Sequence, residues 1–259
     1  MAQVFPPASN YIARTSIILG VLLPVVLVAS GMALTRSPFN TKVSIPQAQP
    51  IPFSHQHHAL ELGIDCRYCH TGVEKAGYAG IPPLQTCMSC HSQIWTNSPL
   101  LEPMRKAYRD DEPLKDPKTN TIGWTKINKL PDFVYFNHSI HINRGLNCNI
   151  CHGAVQKMNL TSKGQAFFMY WCLECHRAPE KFVAERKSVF ELYQKLQVYG
   201  DKLEIHGEHP TPGLSPEEHA LANGQTYNRT PEELAKGEEL VKAYGIKKVQ
   251  LTDCWICHR

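Results

Sequence analysis

The chain has 259 residues, of which 42% are hydrophobic and 19% charged, and its formal net charge is +4. This content of apolar residues excludes a disordered tail and a collagen-like repeat, and the length allows one or two modest domains.

From the N-terminus, Ser16 to Thr35 reads SIILGVLLPVVLVASGMALT, an uncharged stretch of 20 residues bounded by Arg14 and Arg36. A helix of that length crosses a bilayer. Pro24 is expected to kink it, and Gly20, Ala29, Ser30, Gly31 and Ala33 offer small surfaces to other membrane helices. A cleaved signal peptide is the competing reading, with Gly31-Met32-Ala33 as its cleavage site, but such peptides use a shorter apolar region. Residues 1–36 are therefore read as a retained single-pass anchor.

Beyond the anchor the chain carries ten cysteines, all in five C-x-x-C pairs, and a histidine follows every pair. The runs are Cys66-Arg67-Tyr68-Cys69-His70, Cys87-Met88-Ser89-Cys90-His91, Cys148-Asn149-Ile150-Cys151-His152, Cys172-Leu173-Glu174-Cys175-His176 and Cys254-Trp255-Ile256-Cys257-His258. Each is an attachment signature for a c-type haem: both thiols bond the porphyrin edge and the adjacent histidine becomes an axial ligand of iron. His70, His91, His152, His176 and His258 are assigned that axial place, and the cofactors expected are five covalently attached c-type haems. Structural zinc needs four ligands per metal, usually two pairs together, which would leave one of five pairs unmatched. Haem attachment in bacteria takes place on the outer side of the inner membrane, so residues 37–259 are expected on the periplasmic or equivalent side. Thioether bonds consume the thiols that an oxidising compartment would otherwise pair. Five haems also bring roughly five to ten negative charges, enough to reverse the formal charge, and no nucleic-acid partner is inferred.

Ahead of the first run stands Phe53-Ser54-His55-Gln56-His57-His58, followed by Leu62-Gly63-Ile64-Asp65. Phe136-Asn137-His138-Ser139-Ile140-His141 and Arg144-Gly145-Leu146-Asn147 repeat it before the third run. This internal duplication defines two related two-haem units, 37–131 with a connecting segment and 132–200 with a following helix. Ser92 to Pro131, rich in proline and charge, reads as a surface connection with at most one short helix, and Asp132 to Phe136 as the one extended stretch. His55, His58, His138 and His141 are the expected sixth ligands, since one turn of helix puts both members of a pair on one side. Four distal histidines and five irons leave one iron over. Met158 and Met169, between the third and fourth runs, are the leading candidates for it, and such a ligand raises a haem's potential. His57, His206, His209 and His219 are the remaining alternatives, with His57 able to replace His55 or His58.

Pro179 to Tyr199 has apolar residues at helical spacing, with Gly200 placed to end the helix. Ser215-Pro216-Glu217-Glu218 and Thr230-Pro231-Glu232-Glu233 are capping boxes with proline at the first helical position, and open short helices in a C-terminal section, 201–259, with the fifth haem. The fold class expected is mostly α and irregular, short helices wrapped around five haems plus one transmembrane helix. Porphyrin faces replace much of the core that a haem-free chain would need.

Together, the anchor, the two F-x-H-x-x-H and haem-pair units, Met169-Tyr170-Trp171-Cys172-Leu173-Glu174-Cys175-His176-Arg177 and a late fifth run resemble the pentahaem cytochrome c subunit of alternative complex III, a bacterial quinol-oxidising complex. More distantly, the paired units are similar to class III multihaem cytochromes. The sequence departs from the commoner Met-Gly-Trp-Cys run in having Tyr170 where glycine is usual. The resemblance implies integral membrane quinol-oxidising subunits, an iron-sulfur and molybdoenzyme-like subunit, and a monohaem cytochrome c or other periplasmic acceptor. It implies a membrane-anchored electron-transfer subunit with no catalytic residues of its own. The alternatives are a small multihaem quinol dehydrogenase feeding a periplasmic reductase and a multihaem nitrogen-oxide enzyme. The latter needs an open iron, and usually shows a modified attachment run that none of the five displays.

Overall fold

The computed structural model describes residues 4–109, 115–116, 121–198 and 213–258. The chain divides into two compact units, Met1–Val43 and Ser44–Arg259.

The first unit is one helix, Ala8–Arg36, of 29 residues, which continues without a break through Pro24 and buries none of its side chains within the chain. At a rise of about 1.5 Å per residue it is long enough for a bilayer, and it starts two turns before the uncharged stretch. It stops at Ser37, whose hydroxyl donates to Leu34 O at 2.7 Å, because Pro38 disfavours helical backbone at the residue before it. A short turn, Pro38–Thr41, closes on Lys42 in the left-handed conformation.

The second unit is mostly helical, in short pieces. All five attachment runs lie on helices: Cys66–Cys69, Leu84–His91, Cys148–His152, Met169–Arg177 and Cys254–Cys257. A helical turn suits them because it brings residues i and i+3 to one side, as two thioethers to one porphyrin edge require. Local chemistry starts two of these turns. Asp65 accepts from Arg67 N at 2.8 Å, and Asn147, its counterpart in the repeat, accepts from Asn149 N at 2.9 Å. Extended structure among the described residues is slight: Lys115–Asp116 pairs antiparallel with Thr121–Ile122, and Val134 forms a single antiparallel bridge with His258. That bridge lies in the stretch read as extended.

The helix Ser188–Val198 is the hub of the core. Val189, Leu192, Tyr193 and Leu196 recur at helical spacing and are buried, Val189 at 0% and Leu192 and Leu196 at 1% exposure. Val189 and Phe190 pack with Val73 and Ile142, and Leu192, Tyr193 and Leu196 pack with Ala222. The Tyr193 hydroxyl stands 3.1 Å from Asn147 Oδ1 and 3.0 Å from Asn149 Oδ1, while Asn147 Nδ2 donates to Val189 O and Asn149 Nδ2 to Leu221 O. The third attachment run is thus tied by buried polar contacts to the hub helix and to Pro216–Ala222. Replacing Leu192 by alanine is expected to cost about 3 kcal/mol through the cavity left between these elements, measured by urea unfolding.

The helix does not extend over Pro179 to Tyr199. A tight turn covers Pro179–Lys181, and helix resumes only at Ser188. The intervening carbonyls have other partners: Arg229 Nη1 donates to Glu180 O and Val183 O, and the Tyr244 hydroxyl donates to Ala184 O. Arg229, 5% exposed, pairs its other edge with Glu217. Tertiary bonds have replaced helical ones. Tyr199 and Gly200 lie outside the described residues.

The connecting segment is also more than surface. Pro99–Leu101 and Glu102–Arg109 form a helical piece whose Leu101 and Met104 are buried with Ile51, Met88 and Ile122. Of its described charged residues, Glu102 and Arg109 are exposed and pair with each other, while Arg105, 12% exposed, also pairs with Glu102. Both capping boxes form, on Pro216–Ala222 and Pro231–Ala243, with side chain and backbone bonded in both directions.

Candidate functional site

The two F-x-H-x-x-H segments form the same local object. Phe53 stacks on His58 with centroids 4.5 Å apart and meets His55 edge-on at 4.9 Å; Phe136 stacks on His141 at 4.4 Å and meets His138 edge-on at 4.8 Å. One phenylalanine therefore fixes the planes of both imidazoles in its copy. The role of this residue was not read from the sequence, although its repetition at the same offset is visible there.

The copies differ by one residue. Eight positions separate His58 from Cys66 and seven separate His141 from Cys148. The extra residue is taken up as a π-helical turn, Gln56–Glu61, where the second copy has an α-helical turn, His138–Ile142. Each turn is ended by a glycine with positive φ, Gly63 at 73° and Gly145 at 76°. A Cβ on Gly145 would lie 2.0 Å from Ala184 O, so the close approach excludes a side chain as firmly as the dihedral does.

Hydrogen bonds at Nδ1 orient the rings. His58 bonds Ser54 O at 2.9 Å, His141 bonds Asn137 O at 2.8 Å, His138 bonds Gly77 O at 2.9 Å, His70 bonds Gly80 O at 2.7 Å and His176 bonds Leu251 O at 2.9 Å. His55 bonds the Thr161 hydroxyl at 3.1 Å, and His152 the Asn128 side-chain amide at 2.9 Å. A carbonyl acceptor holds the proton on Nδ1 and leaves Nε2 as a free base, the form that binds a metal. Burial acts in the same direction. It holds His55 and His152 down at about 4, each lowered further by neighbouring histidines, and it also lowers His58, His138 and His141. These five imidazoles are neutral at neutral pH.

The rings face one another in pairs. His58 and His91 have centroids 6.2 Å apart, His138 and His152 6.3 Å, and His141 and His176 6.3 Å. Direct ring stacking would bring them nearer. Two metal–imidazole bonds of about 2.0 Å, each with about 1.1 Å from nitrogen to ring centre, give about 6.2 Å across one metal. The spacing fits a six-coordinate iron. After burial, His70 is the largest electrostatic influence on His55.

The fifth run stands differently. Its His258 is stacked by Phe133 at 5.7 Å. Met169 opens the helix that carries Cys172 and His176, which packs on the Lys248–Thr252 turn leading into the fifth run, and it is 60% exposed. Met158 is elsewhere: its sulfur accepts from Ser162 N at 3.4 Å, and its carbonyl accepts from Gln56 N beside His55. His57 is bonded to Glu61 at 2.9 Å and stacked on Trp95, which leaves His55 and His58 as the inward pair. His219 lies on the Pro216–Ala222 helix, and His206 and His209 fall outside the described residues.

The surroundings suit an apolar cofactor. Around the runs, Tyr68, Ile94, Trp95, Phe133, Ile140 and Trp255 are exposed large side chains on a unit with only a small buried core. All ten cysteines are unbridged. Burial raises Cys175 to about 12 and also raises Cys69, Cys87 and Cys151, so these sulfurs are thiols rather than thiolates at neutral pH. Thiols beside free imidazole bases and apolar surface fit covalent porphyrin attachment.

Residues 134–195 match the family model described as cytochrome c7 and related cytochrome c. Over 149 residues the chain is 31% identical to the "Menaquinone reductase, multiheme cytochrome c subunit" of Nitratidesulfovibrio vulgaris, a match covering 49% of this chain and 67% of that protein. With several C-x-x-C-H runs, and an imidazole 6.2 to 6.3 Å from each of three run histidines, the chain belongs to the multihaem cytochrome c family and binds c-type haem covalently.

Proposed function

We propose that this chain is a membrane-anchored pentahaem electron-transfer subunit that exchanges electrons between a membrane quinol-oxidising complex and a periplasmic acceptor. When bound, the haems accept and release single electrons at potentials set by their axial ligands and burial. The observation that carries the reading is the set of facing imidazoles at 6.2 to 6.3 Å. It supports His58 with His91, His138 with His152 and His141 with His176, and by repeat symmetry His55 with His70. These imidazoles sit on or beside short helical turns and would hold a haem iron from both sides, leaving it no open position for substrate. Met169, on the helix beside the fifth run, is the proposed partner of His258, in preference to Met158.

The Ala8–Arg36 helix is the proposed anchor, with 37–259 on the outer side of the membrane. Likeness to the pentahaem subunit of alternative complex III supplies the proposed partners: integral quinol-oxidising subunits, an iron-sulfur and molybdoenzyme-like subunit, and a monohaem cytochrome c. The likeness to a menaquinone reductase subunit favours a second reading, in which electrons flow toward menaquinone instead. A haem count by intact mass and a potentiometric titration of the detergent-extracted protein test the core of this proposal. Five haems, all low-spin, with one of higher potential, is the expected result. A haem that is high-spin and binds nitrite or cyanide would instead establish an open iron and an enzyme.

A further inference from the structure

We propose that the five attachment runs stand in single file in an order different from the sequence: Cys87–Cys90, Cys66–Cys69, Cys148–Cys151, Cys172–Cys175, Cys254–Cys257. The two halves of the duplication are joined through their first runs, and the second run of the first half becomes an end of the file. This rests on the five-haem reading above.

Each junction has its own contacts. At the first, the Tyr68 hydroxyl in one run meets the Ser89 hydroxyl in the other at 2.9 Å, and the shared turn carrying His55 and His58 serves both. At the second, Cys66 and Cys148 pack against the same two apolar clusters around the Ser188–Val198 helix. Gly77 O, a few residues past the first run, accepts from His138 Nδ1 of the second half at 2.9 Å. At the third, one helical turn presents His138 to His152 and His141 to His176. At the fourth, His176 Nδ1 bonds Leu251 O at 2.9 Å, and Tyr135 N, just before Phe136 and the distal pair, donates to Cys257 O at 2.8 Å.

Two further observations agree. Cys87 packs on a separate cluster, of Ile51, Met88, Leu101, Met104 and Ile122, away from the hub that holds Cys66 and Cys148. Of the ten cysteines only Cys90 and Cys254 are exposed, and they belong to the runs at the two ends of the file. The terminal runs are therefore the places where electron-exchanging partners come nearest, and the Cys66/Cys148 junction carries the file from one half to the other.

The test is the position of the irons. Anomalous diffraction at the iron edge from crystals of the haem-loaded full chain should give four shortest iron–iron separations that join the runs in the stated order. A shortest separation between the Cys87–Cys90 and Cys148–Cys151 runs, as sequence order would require, overturns the proposal. A run without iron would count against five haems, while the order is still judged on the irons present.

A solution test uses the variants Cys90→Ala and Cys69→Ala, each leaving one haem with a single thioether and a displaced absorption band. Titrated at that band, Cys90→Ala should show interaction with one neighbouring haem and Cys69→Ala with two; the reverse result overturns the order. Neither readout depends on turnover or on the distal ligand assignment.

Discussion

Replacing His141 by alanine is expected to convert one haem, that carried by Cys172 and Cys175, from low-spin to high-spin, with all five still covalently attached. His141 faces His176 at 6.3 Å with its plane turned by 22°, is oriented by Asn137 O at 2.8 Å, and is braced by Phe136 at 4.4 Å. Removing the ring would take away the sixth donor proposed for that iron. A neutral imidazole stabilises the oxidised iron, so its loss should raise that potential by on the order of 100 mV. Optical and electron paramagnetic resonance spectra with and without cyanide are the check: one fifth of the haem should bind cyanide in the variant and none in the parent. The control is His57→Ala, which should leave every spectrum unchanged because that ring is engaged with Glu61 and Trp95. If all haem in His141→Ala stayed low-spin, the partner of His176 would have to be sought elsewhere. The parent spectrum should itself be heterogeneous, since the facing planes differ by 65° at His58/His91 and by 4° at His138/His152, and the relative orientation of axial imidazoles sets the anisotropy of a low-spin signal.

What the sequence made legible is the chemistry that repeats. Five C-x-x-C-H runs and two F-x-H-x-x-H segments carry their own registration, because the thiols and the imidazoles must share a face whatever surrounds them. The capping boxes at Ser215 and Thr230 were equally readable, since they satisfy backbone groups within four residues. The features that were not legible depend on distant partners. The apolar spacing from Pro179 is a fair helical signal, yet Arg229 and Tyr244 claim the carbonyls of Glu180, Val183 and Ala184 from about 45 to 60 residues away, and the helix waits until Ser188. The connecting segment hid Leu101 and Met104 among charges and prolines, and only their contact with Ile51 and Met88 reveals a core. The one-residue difference between the copies was visible in the spacing, but its absorption by a π turn follows from the need to keep His55 and His58 on one side with Phe53.

Exchanging Met169 for histidine is expected to remove the highest-potential component from the titration and add a fifth to the low-potential group. Among the described residues no histidine ring is paired with His258, and Met169 is the thioether whose helix packs on the turn leading into the fifth run. Met158 is committed to Ser162 and lies beside His55, so Met158→His should leave the titration unchanged. A thioether donates less strongly than an imidazole and favours reduced iron, so the change to histidine lowers the potential, by on the order of 100 mV or more. At about 59 mV per factor of ten for one electron, 100 mV lowers the equilibrium constant for reducing the terminal site by roughly 50-fold. Because Cys254 is exposed at that end, the shift would appear in delivery to an acceptor as well as in the potential itself. Survival of the high-potential component in Met169→His, with its methionine–iron absorption band intact, would remove Met169 from the ligand set. Loss of the band without a fall in potential would mean that burial, rather than the thioether, sets the redox level of the fifth haem.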